Sequence, residues 1–172
     1  MLIICKYSSY GHKRDGFVCR NDFKSTVKLL TSKGKLSEQT AFLIQRLVIQ
    51  LWEDFWCCGE DKGFDYQVPP EEFVELMANL LKLSDCKKLL EEPLGLLFGV
   101  VDMDGSGVVN LKKWTIYNEA IGISAADAKH SFEVCFDQKS EISKADFIAV
   151  GQVFFTSVDE KHNSRHLWGP LI

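Results

Sequence analysis

Apolar residues along most of the chain recur at three- and four-residue spacing, which is the spacing of one face of an α-helix. No segment alternates between apolar and polar residues for more than a few positions, so extended strands are not expected. The longest apolar stripe covers about four helical turns. Its members are Phe42, Leu43, Leu47, Val48, Leu51, Trp52, Phe55 and Trp56. This pattern predicts an all-α fold.

Helix boundaries are marked by residues with known terminal preferences. Proline suits the first turn of a helix, so a helix is expected to start at Pro69 and Pro70. A hydroxyl side chain suits the N-cap, so another is expected to start after Ser124. Glycine commonly ends a helix in the left-handed conformation, which we expect at Gly34 and Gly122.

Four places along the chain share one arrangement, in which a helical run leads into a loop, a branched aliphatic residue, and then a charged residue followed by an aromatic one. These loops cover residues 11–23, 61–73, 102–114 and 137–147. The shared aliphatic residues are Val18, Val68, Val109 and Ile142. We predict helix-loop-helix units in two lobes, with the loops of each lobe joined by a short β-bridge. The lobes would be residues 1–84 and 85–160, and a tail over 161–172 would pack on the body.

The third loop has the composition of a twelve-residue calcium loop, which needs oxygen ligands at positions 1, 3, 5 and 7, glycine at position 6 and a bidentate carboxylate at position 12. The predicted Ca²⁺ ligands, taken in order from position 1 to position 9, are Asp102, Asp104, Ser106, the carbonyl of Val108, and Asn110. Gly107 stands at position 6. The sequence therefore predicts that Ca²⁺, if the chain holds it, binds first in this loop.

Lys113 is the defect of the third loop, because it stands at position 12. An ammonium about 4 Å from a divalent cation opposes its binding by roughly 8 kcal/mol at an effective dielectric constant near 20. We expect the flexible side chain to swing into water, which removes most of that penalty. The loop still lacks the bidentate oxygen pair, so the predicted site is weak.

The second loop is a weaker candidate for the same ion. It keeps carboxylates at positions 1, 5 and 12, in Asp61, Asp65 and Glu72, and Gln67 at position 7. Gly63 replaces the ligand at position 3, and Tyr66 stands in the glycine position, where a left-handed backbone costs roughly 1–2 kcal/mol.

The first and fourth loops are predicted to hold no ion. The first keeps only Asp15 and Asp22 as acids, and the segment before it is too short and polar for a complete entering helix. The fourth is one residue short, with Cys135 and Asp137 competing for position 1.

Lysine recurs in these defective loops, at Lys13, Lys113 and Lys139. One alternative is that these lysines replace Ca²⁺ as the cation of permanently folded loops. The sequence therefore leaves a second interpretation, in which the protein keeps its fold without calcium.

The chain resembles the EF-hand superfamily, and within it the sarcoplasmic calcium-binding group, nearest the calexcitin branch that also contains juvenile hormone diol kinase. The resemblance is carried by residues 102–109 and 139–143, by the pair Phe154 and Phe155, and by the closing segment 167–171. It implies a cytosolic calcium buffer or sensor with at most one or two weakened sites.

Two alternatives to calcium binding stay open, and the resemblance implies the first of them, a juvenile hormone diol kinase-like or apolar small-molecule-binding protein. Relatives can enclose an apolar ligand between their lobes, and the 20 aromatic residues and the segment 167–171 would suit such a cavity and its plug. A calcium-independent adaptor that grips a partner helix is the second alternative. The sequence does not predict the oligomeric state.

An enzyme is not predicted. Lys139 and Ser140 look like the end of a phosphate-binding loop, but Gln138 stands where glycine is required and no complete motif occurs. His162 and His166 have the spacing of a two-histidine metal pair, yet no third ligand is nearby, and we expect both to be exposed.

Charge and composition exclude other classes of function. The net charge is −4, and no basic run is long enough to bind a nucleic-acid backbone. No stretch is long and apolar enough for a transmembrane helix or a signal-peptide core, which predicts a cytoplasmic protein. A chain of 172 residues can also bury a core without help from a metal.

Overall fold

The computed structural model describes residues 17–57, 62–63, 66–159 and 161–169. As predicted, the chain is mostly helical with two short sheets. In chain order the elements are β1 (Val18–Cys19), α1 (Arg20–Gly34), α2 (Glu38–Leu51) with a π-helical turn (Trp52–Trp56), β2 (Gln67–Val68), α3 (Pro70–Leu81), α4 (Cys86–Leu89), α5 (Glu91–Val101), β3 (Val108–Asn110), α6 (Leu111–Ala120), α7 (Ala125–Cys135), β4 (Glu141–Ser143), α8 (Lys144–Thr156) and a 3₁₀ turn (Asn163–His166).

The two sheets join the loops in pairs. In β1 and β2, Val18 lies opposite Val68, and in β3 and β4, Val109 lies opposite Ile142. All four side chains are buried. The shared aliphatic position is thus the point where paired loops meet, and the predicted pairing is confirmed.

Helices from the two pairs of loops pack against one another. Helix α2 contacts α5, and α1 contacts α6. At the second contact, the Nζ of Lys33 lies 3.2 Å from a carboxylate oxygen of Glu119. The third loop connects α5 and α6, and each of these helices is held by a helix from the first pair of loops.

The predicted apolar stripe of α2 is wrong at its beginning. The side chains of Phe42 and Leu43 are 60% and 53% exposed, whereas Ile44, Val48 and Leu51 are buried. Successive residues of a helix are rotated by about 100°, so residues 44, 48 and 51 share one face and residues 42 and 43 turn away from it. The side chains of the last two predicted members, Phe55 and Trp56, lie outside the described part.

The prediction for Gly34 is also wrong. Gly34 is the last residue of α1, and Lys35 after it takes the left-handed conformation with φ of 51°. A Cβ atom at Gly34 would lie 3.2 Å from the Sδ of Met103, so glycine here allows a close approach. At Gly122 the predicted positive φ is present, at 90°.

The predicted helix starts are confirmed. Helix α3 begins at Pro70. The Oγ of Ser124 accepts a hydrogen bond of 3.1 Å from the backbone N–H of Asp127 at the start of α7. This bond satisfies one of the free donors at the helix N-terminus.

The segment that follows α8 packs back on the helices. Leu167 and Trp168 are buried, and the Oγ of Ser131 in α7 donates a hydrogen bond of 2.9 Å to the carbonyl of Leu167. The ring of Trp168 stacks on that of Trp114 in α6, with centroids 5.8 Å apart. No helix in the described ranges is long and apolar enough to cross a membrane.

Candidate cation site

The third loop is shaped by hydrogen bonds to its own first residues. Helix α5 ends at Val101, and the Oδ2 of Asp102 accepts a hydrogen bond of 2.8 Å from the backbone N–H of Gly107. The Oδ1 of Asp104 accepts one of 3.1 Å from the N–H of Ser106. Gly107 has φ of 83°, a conformation that side chains rarely tolerate. The glycine predicted at position 6 is therefore required by the turn.

Four oxygens of this loop converge on one cation, which is the ammonium of Lys113. Its Nζ lies 2.7 Å from the Oδ1 of Asp102, 2.7 Å from the Oγ of Ser106 and 2.8 Å from the carbonyl oxygen of Val108. It also donates to the Oδ1 of Asp104. The predicted ligands at positions 1, 3, 5 and 7 are thus brought together around a single point.

Asn110 does not join this group. Its Oδ1 accepts a hydrogen bond of 3.1 Å from the backbone N–H of Lys113, which caps the N-terminus of α6. The cap also fixes the backbone of Lys113, from which the side chain turns back into the loop. The expectation that this side chain swings into water is wrong, since only 12% of it is exposed.

The charges of the site are unequally buried. The side chain of Asp102 is 6% exposed and that of Asp104 is 61% exposed. The hydrogen bond from Lys113 lowers the pKa of Asp104 to about 2. Burial acts to lower the pKa of Lys113, but its bonds to Asp102 and Asp104 outweigh burial and leave this pKa above its usual value. The carboxylate of Asp104 and the ammonium of Lys113 therefore stabilise each other in their charged forms.

The oxygens of the third loop fit a cation, but they do not form a complete calcium site. Ca²⁺ takes six to eight oxygens at about 2.3–2.6 Å, and a bidentate carboxylate at position 12 is the usual last ligand. Here position 12 supplies a positive charge. No group of three or more His, Cys, Asp and Glu side chains in the described part of the chain is placed to hold a metal ion.

The second loop also contains an ion pair between a lysine and a carboxylate, and here the carboxylate is the one at position 12. One carboxylate oxygen of Glu72 accepts a hydrogen bond of 2.5 Å from the Nζ of Lys62, and the other accepts one from the hydroxyl of Tyr66. The bond from Lys62, followed by that from Tyr66, lowers the pKa of Glu72. Gln67 lies in β2. The predicted ligands Asp61 and Asp65 lie outside the described residues.

The backbone of the second loop differs from the prediction. Tyr66 was expected to be forced into the left-handed region, and it is not; among the described residues of this loop, Gly63 has a positive φ, at 80°. Glycine tolerates this conformation best. Tyr66 instead uses its hydroxyl to hold Glu72.

The fourth loop is closed by Lys139. Five residues separate the end of α7 from β4, whereas six separate α5 from β3. The Nζ of Lys139 lies 2.7 Å from the Oδ1 of Asp146, and this bond lowers the pKa of Asp146 to about 2 together with bonds from Ser143. The lysine that looked like part of a phosphate loop is thus engaged by its own loop.

For the first loop, only its last part is described. The Oδ2 of Asp22 accepts a hydrogen bond of 2.8 Å from the backbone N–H of Cys19 at the start of α1. Gly11, Lys13 and Asp15 lie outside the described residues. The absence of an ion from this loop stays a prediction.

Sequence reasoning missed two partnerships. Lys62 was not considered, although a lysine ten residues before Glu72 in a closed loop is a signal for their contact. His162 is exposed as expected, but His166 is half-buried, and its ring lies edge to face with that of His130, 5.1 Å away. This second contact joins the segment after α8 to α7 and had no signal in the spacing.

No protein-family profile matches the chain, but similar proteins align with nearly its whole length. A sarcoplasmic calcium-binding protein of Hediste diversicolor is 24% identical over 161 residues, which are 92% of this chain and 90% of that protein. A solved structure of the coelenterazine-binding protein of Renilla muelleri has a TM-score of 0.83 and 20% identity, and covers 98% of this chain and 93% of its own. The structure of okadaic acid binding protein 2.1 has a TM-score of 0.69 and 17% identity, with coverages of 99% and 92%.

The paired helix-loop-helix units and this likeness show that the chain has the EF-hand fold. Within the EF-hand superfamily its sequence relatives lie in the sarcoplasmic calcium-binding protein group, as its motifs predicted. The sequence relatives are named as calcium-binding proteins, which is consistent with the prediction of a protein that is not an enzyme. The finer placement in the calexcitin branch stays a prediction.

Proposed function

We propose that this protein is a cytosolic EF-hand calcium-binding protein whose principal site is the third loop. The observation that carries the proposal is the convergence of four oxygens, from Asp102, Asp104, Ser106 and Val108, on one cation position. Loop positions 1, 3, 5 and 7 supply them, which are the positions that ligate Ca²⁺ in an EF-hand. The sarcoplasmic calcium-binding relatives support the same ion.

The site is weak, because Ca²⁺ has to displace the ammonium of Lys113 and then lacks the carboxylate of position 12. We place its dissociation constant above the range of about 10⁻⁷–10⁻⁵ M that calcium sensors show, at about 10⁻⁴–10⁻³ M. A cytosolic buffer needs affinities of about 10⁻⁹–10⁻⁸ M. An affinity this low excludes a high-affinity buffer, and the loop responds to Ca²⁺ only at concentrations above those that common sensors detect.

A calcium titration followed by tryptophan fluorescence tests this proposal. Trp114 follows Lys113 directly and is fully buried, so displacement of the lysine is expected to change its emission. We expect a saturable change in the submillimolar to millimolar range, weakened by Asp104→Asn, whose side chain is largely exposed and can be changed without disturbing the core. Asp85→Asn, at an exposed position outside the loops, is the matched control. A wild-type protein that gives no response at millimolar Ca²⁺ contradicts the proposal.

Binding of an apolar small molecule is a second candidate function, favoured by two polar atoms in the aromatic core. The Nε1 of Trp114 and the Oδ1 of Asn118 are buried without a hydrogen-bond partner in the described part of the chain. They lie one turn apart on α6, and each costs about 1–3 kcal/mol when left unpaired. A hydroxyl group both donates and accepts hydrogen bonds, which is the chemistry that these two atoms lack.

Coelenterazine is the probe for this candidate, since a structural neighbour is a coelenterazine-binding protein. We expect it to quench the tryptophan emission, and we expect Asn118→Leu to weaken the binding by about tenfold because one hydrogen bond is lost. Asn79→Leu, at an exposed position of α3, is the control. Equal binding by both variants contradicts a site at Asn118.

A further inference from the structure

We propose that the ammonium of Lys113 is the resident cation of the third loop and a tethered competitor of Ca²⁺. This proposal rests on the calcium site proposed above and adds what regulates it. The ammonium and a metal ion cannot share the point on which the four oxygens converge. The affinity of the loop for Ca²⁺ is therefore set by how firmly its own lysine is held.

The contacts of Lys113 are those of a bound cation. An ammonium has three protons, and here it has four oxygen partners, two of them carboxylate oxygens. The separations of 2.7–2.8 Å to three of these oxygens exceed common Ca²⁺–oxygen distances by only a few tenths of an ångström. A small contraction of the loop would bring these three oxygens to Ca²⁺ distances once the ammonium has left.

Burial shows that this arrangement is part of the fold. The side chain of Lys113 is only 12% exposed and that of Asp102 only 6%. The neighbouring Lys112 is exposed to solvent. The two lysines thus have the same charge and adjacent positions on α6, but one of them alone reaches the loop oxygens.

The lysine keeps the loop formed in the absence of metal. Without it, the carboxylates of Asp102 and Asp104 would face each other across the loop with no cation between them. In a loop that lacks such a lysine, Ca²⁺ itself supplies this neutralisation. We therefore infer that the metal-free protein already has the closed third loop, and that Ca²⁺ replaces one internal cation by another.

Paired substitutions in the full chain test this inference. Lys113→Met removes the ammonium and keeps a long side chain, and Lys112→Met is its matched control. With a chelator present, we expect Lys113→Met to melt several degrees below the control, and added Ca²⁺ to remove the difference. Lys113→Met is expected to bind Ca²⁺ about tenfold tighter than the wild type, since no charged hydrogen bonds have to be broken. Lys113→Glu supplies the missing position-12 carboxylate and should bind about a hundredfold tighter, with Lys112→Glu as control.

The outcomes separate this inference from the proposed function. If Lys113→Met and the Lys112→Met control have the same melting temperature in chelator, the ammonium is not a resident cation. If the Lys113 variants bind Ca²⁺ no more tightly than the wild type in calorimetry, the competition is overturned while the calcium site stands. If neither the wild type nor the Lys113 variants bind Ca²⁺, the proposed calcium site itself is overturned.

Discussion

Replacing Trp168 by alanine is expected to lower the free energy of unfolding by about 3–5 kcal/mol, the usual cost of removing a large buried aromatic side chain. Only 9% of Trp168 is exposed. Its ring stacks on Trp114 and meets the ring of Phe147 at 6.3 Å and that of Phe154 at 6.5 Å. The variant would leave a cavity bounded by α6 and α8, which their fixed backbones can only partly fill.

Urea denaturation of the variant and the wild type measures this loss through the shift of the midpoint at constant slope. Val158→Ala is the matched control, because Val158 is 94% exposed and its truncation should be nearly neutral. Trp168→Phe should fall between the two. A loss below about 1 kcal/mol for Trp168→Ala would show that the segment after α8 does not stabilise the core.

The same segment links the C-terminal helices to the cation site. The 3₁₀ turn is tied to α7 where the Sγ of Cys135 donates to the carbonyl of Asn163 at 3.2 Å. Trp168 then reaches Trp114, which is the residue after Lys113. The residue next to Lys113 therefore packs directly on the segment that follows α8.

Fold class and loop pairing could be predicted because they depend on residue types at fixed spacings. The buried aliphatic residues Val18, Val68, Val109 and Ile142 occur at the same place in each loop, and the structure pairs them as expected. The prediction that the whole apolar stripe of α2 is buried was wrong, because residue spacing alone does not determine burial. Which face of a helix is buried depends on its neighbours, and Phe42 and Leu43 are apolar residues that the packing leaves outside.

The ligand set of the third loop could also be predicted, but the position of Lys113 could not. The oxygen residues follow from the loop motif, whereas a lysine side chain can extend into water or fold back. The choice depends on whether several acceptors converge within its reach, which is a property of the folded loop. Tyr66 illustrates the same limit, since its hydroxyl bond to Glu72 became visible only with the backbone bend at Gly63.

Asp102→Asn is expected to lower the free energy of unfolding by about 3 kcal/mol in the absence of metal, because it leaves the buried ammonium of Lys113 without its most buried partner. The carboxylate of Asp102 accepts from the Nζ of Lys113 through one oxygen and from the N–H of Gly107 through the other. An amide has only one acceptor, so its NH₂ group must face one of these two donors. Thermal and urea unfolding in chelator measure the loss.

Asp104→Asn is the matched control for this prediction, because it changes the same charge and also removes a carboxylate that contacts Lys113. The side chain of Asp104 is 61% exposed, so water can replace its contribution and the expected loss is under about 1 kcal/mol. Combining Asp102→Asn with Lys113→Met should cost less than the sum of the two single losses, since the unpaired buried charge is then absent. Equal losses from the two aspartate variants would contradict the assignment of Asp102 as the buried partner on which the third loop depends.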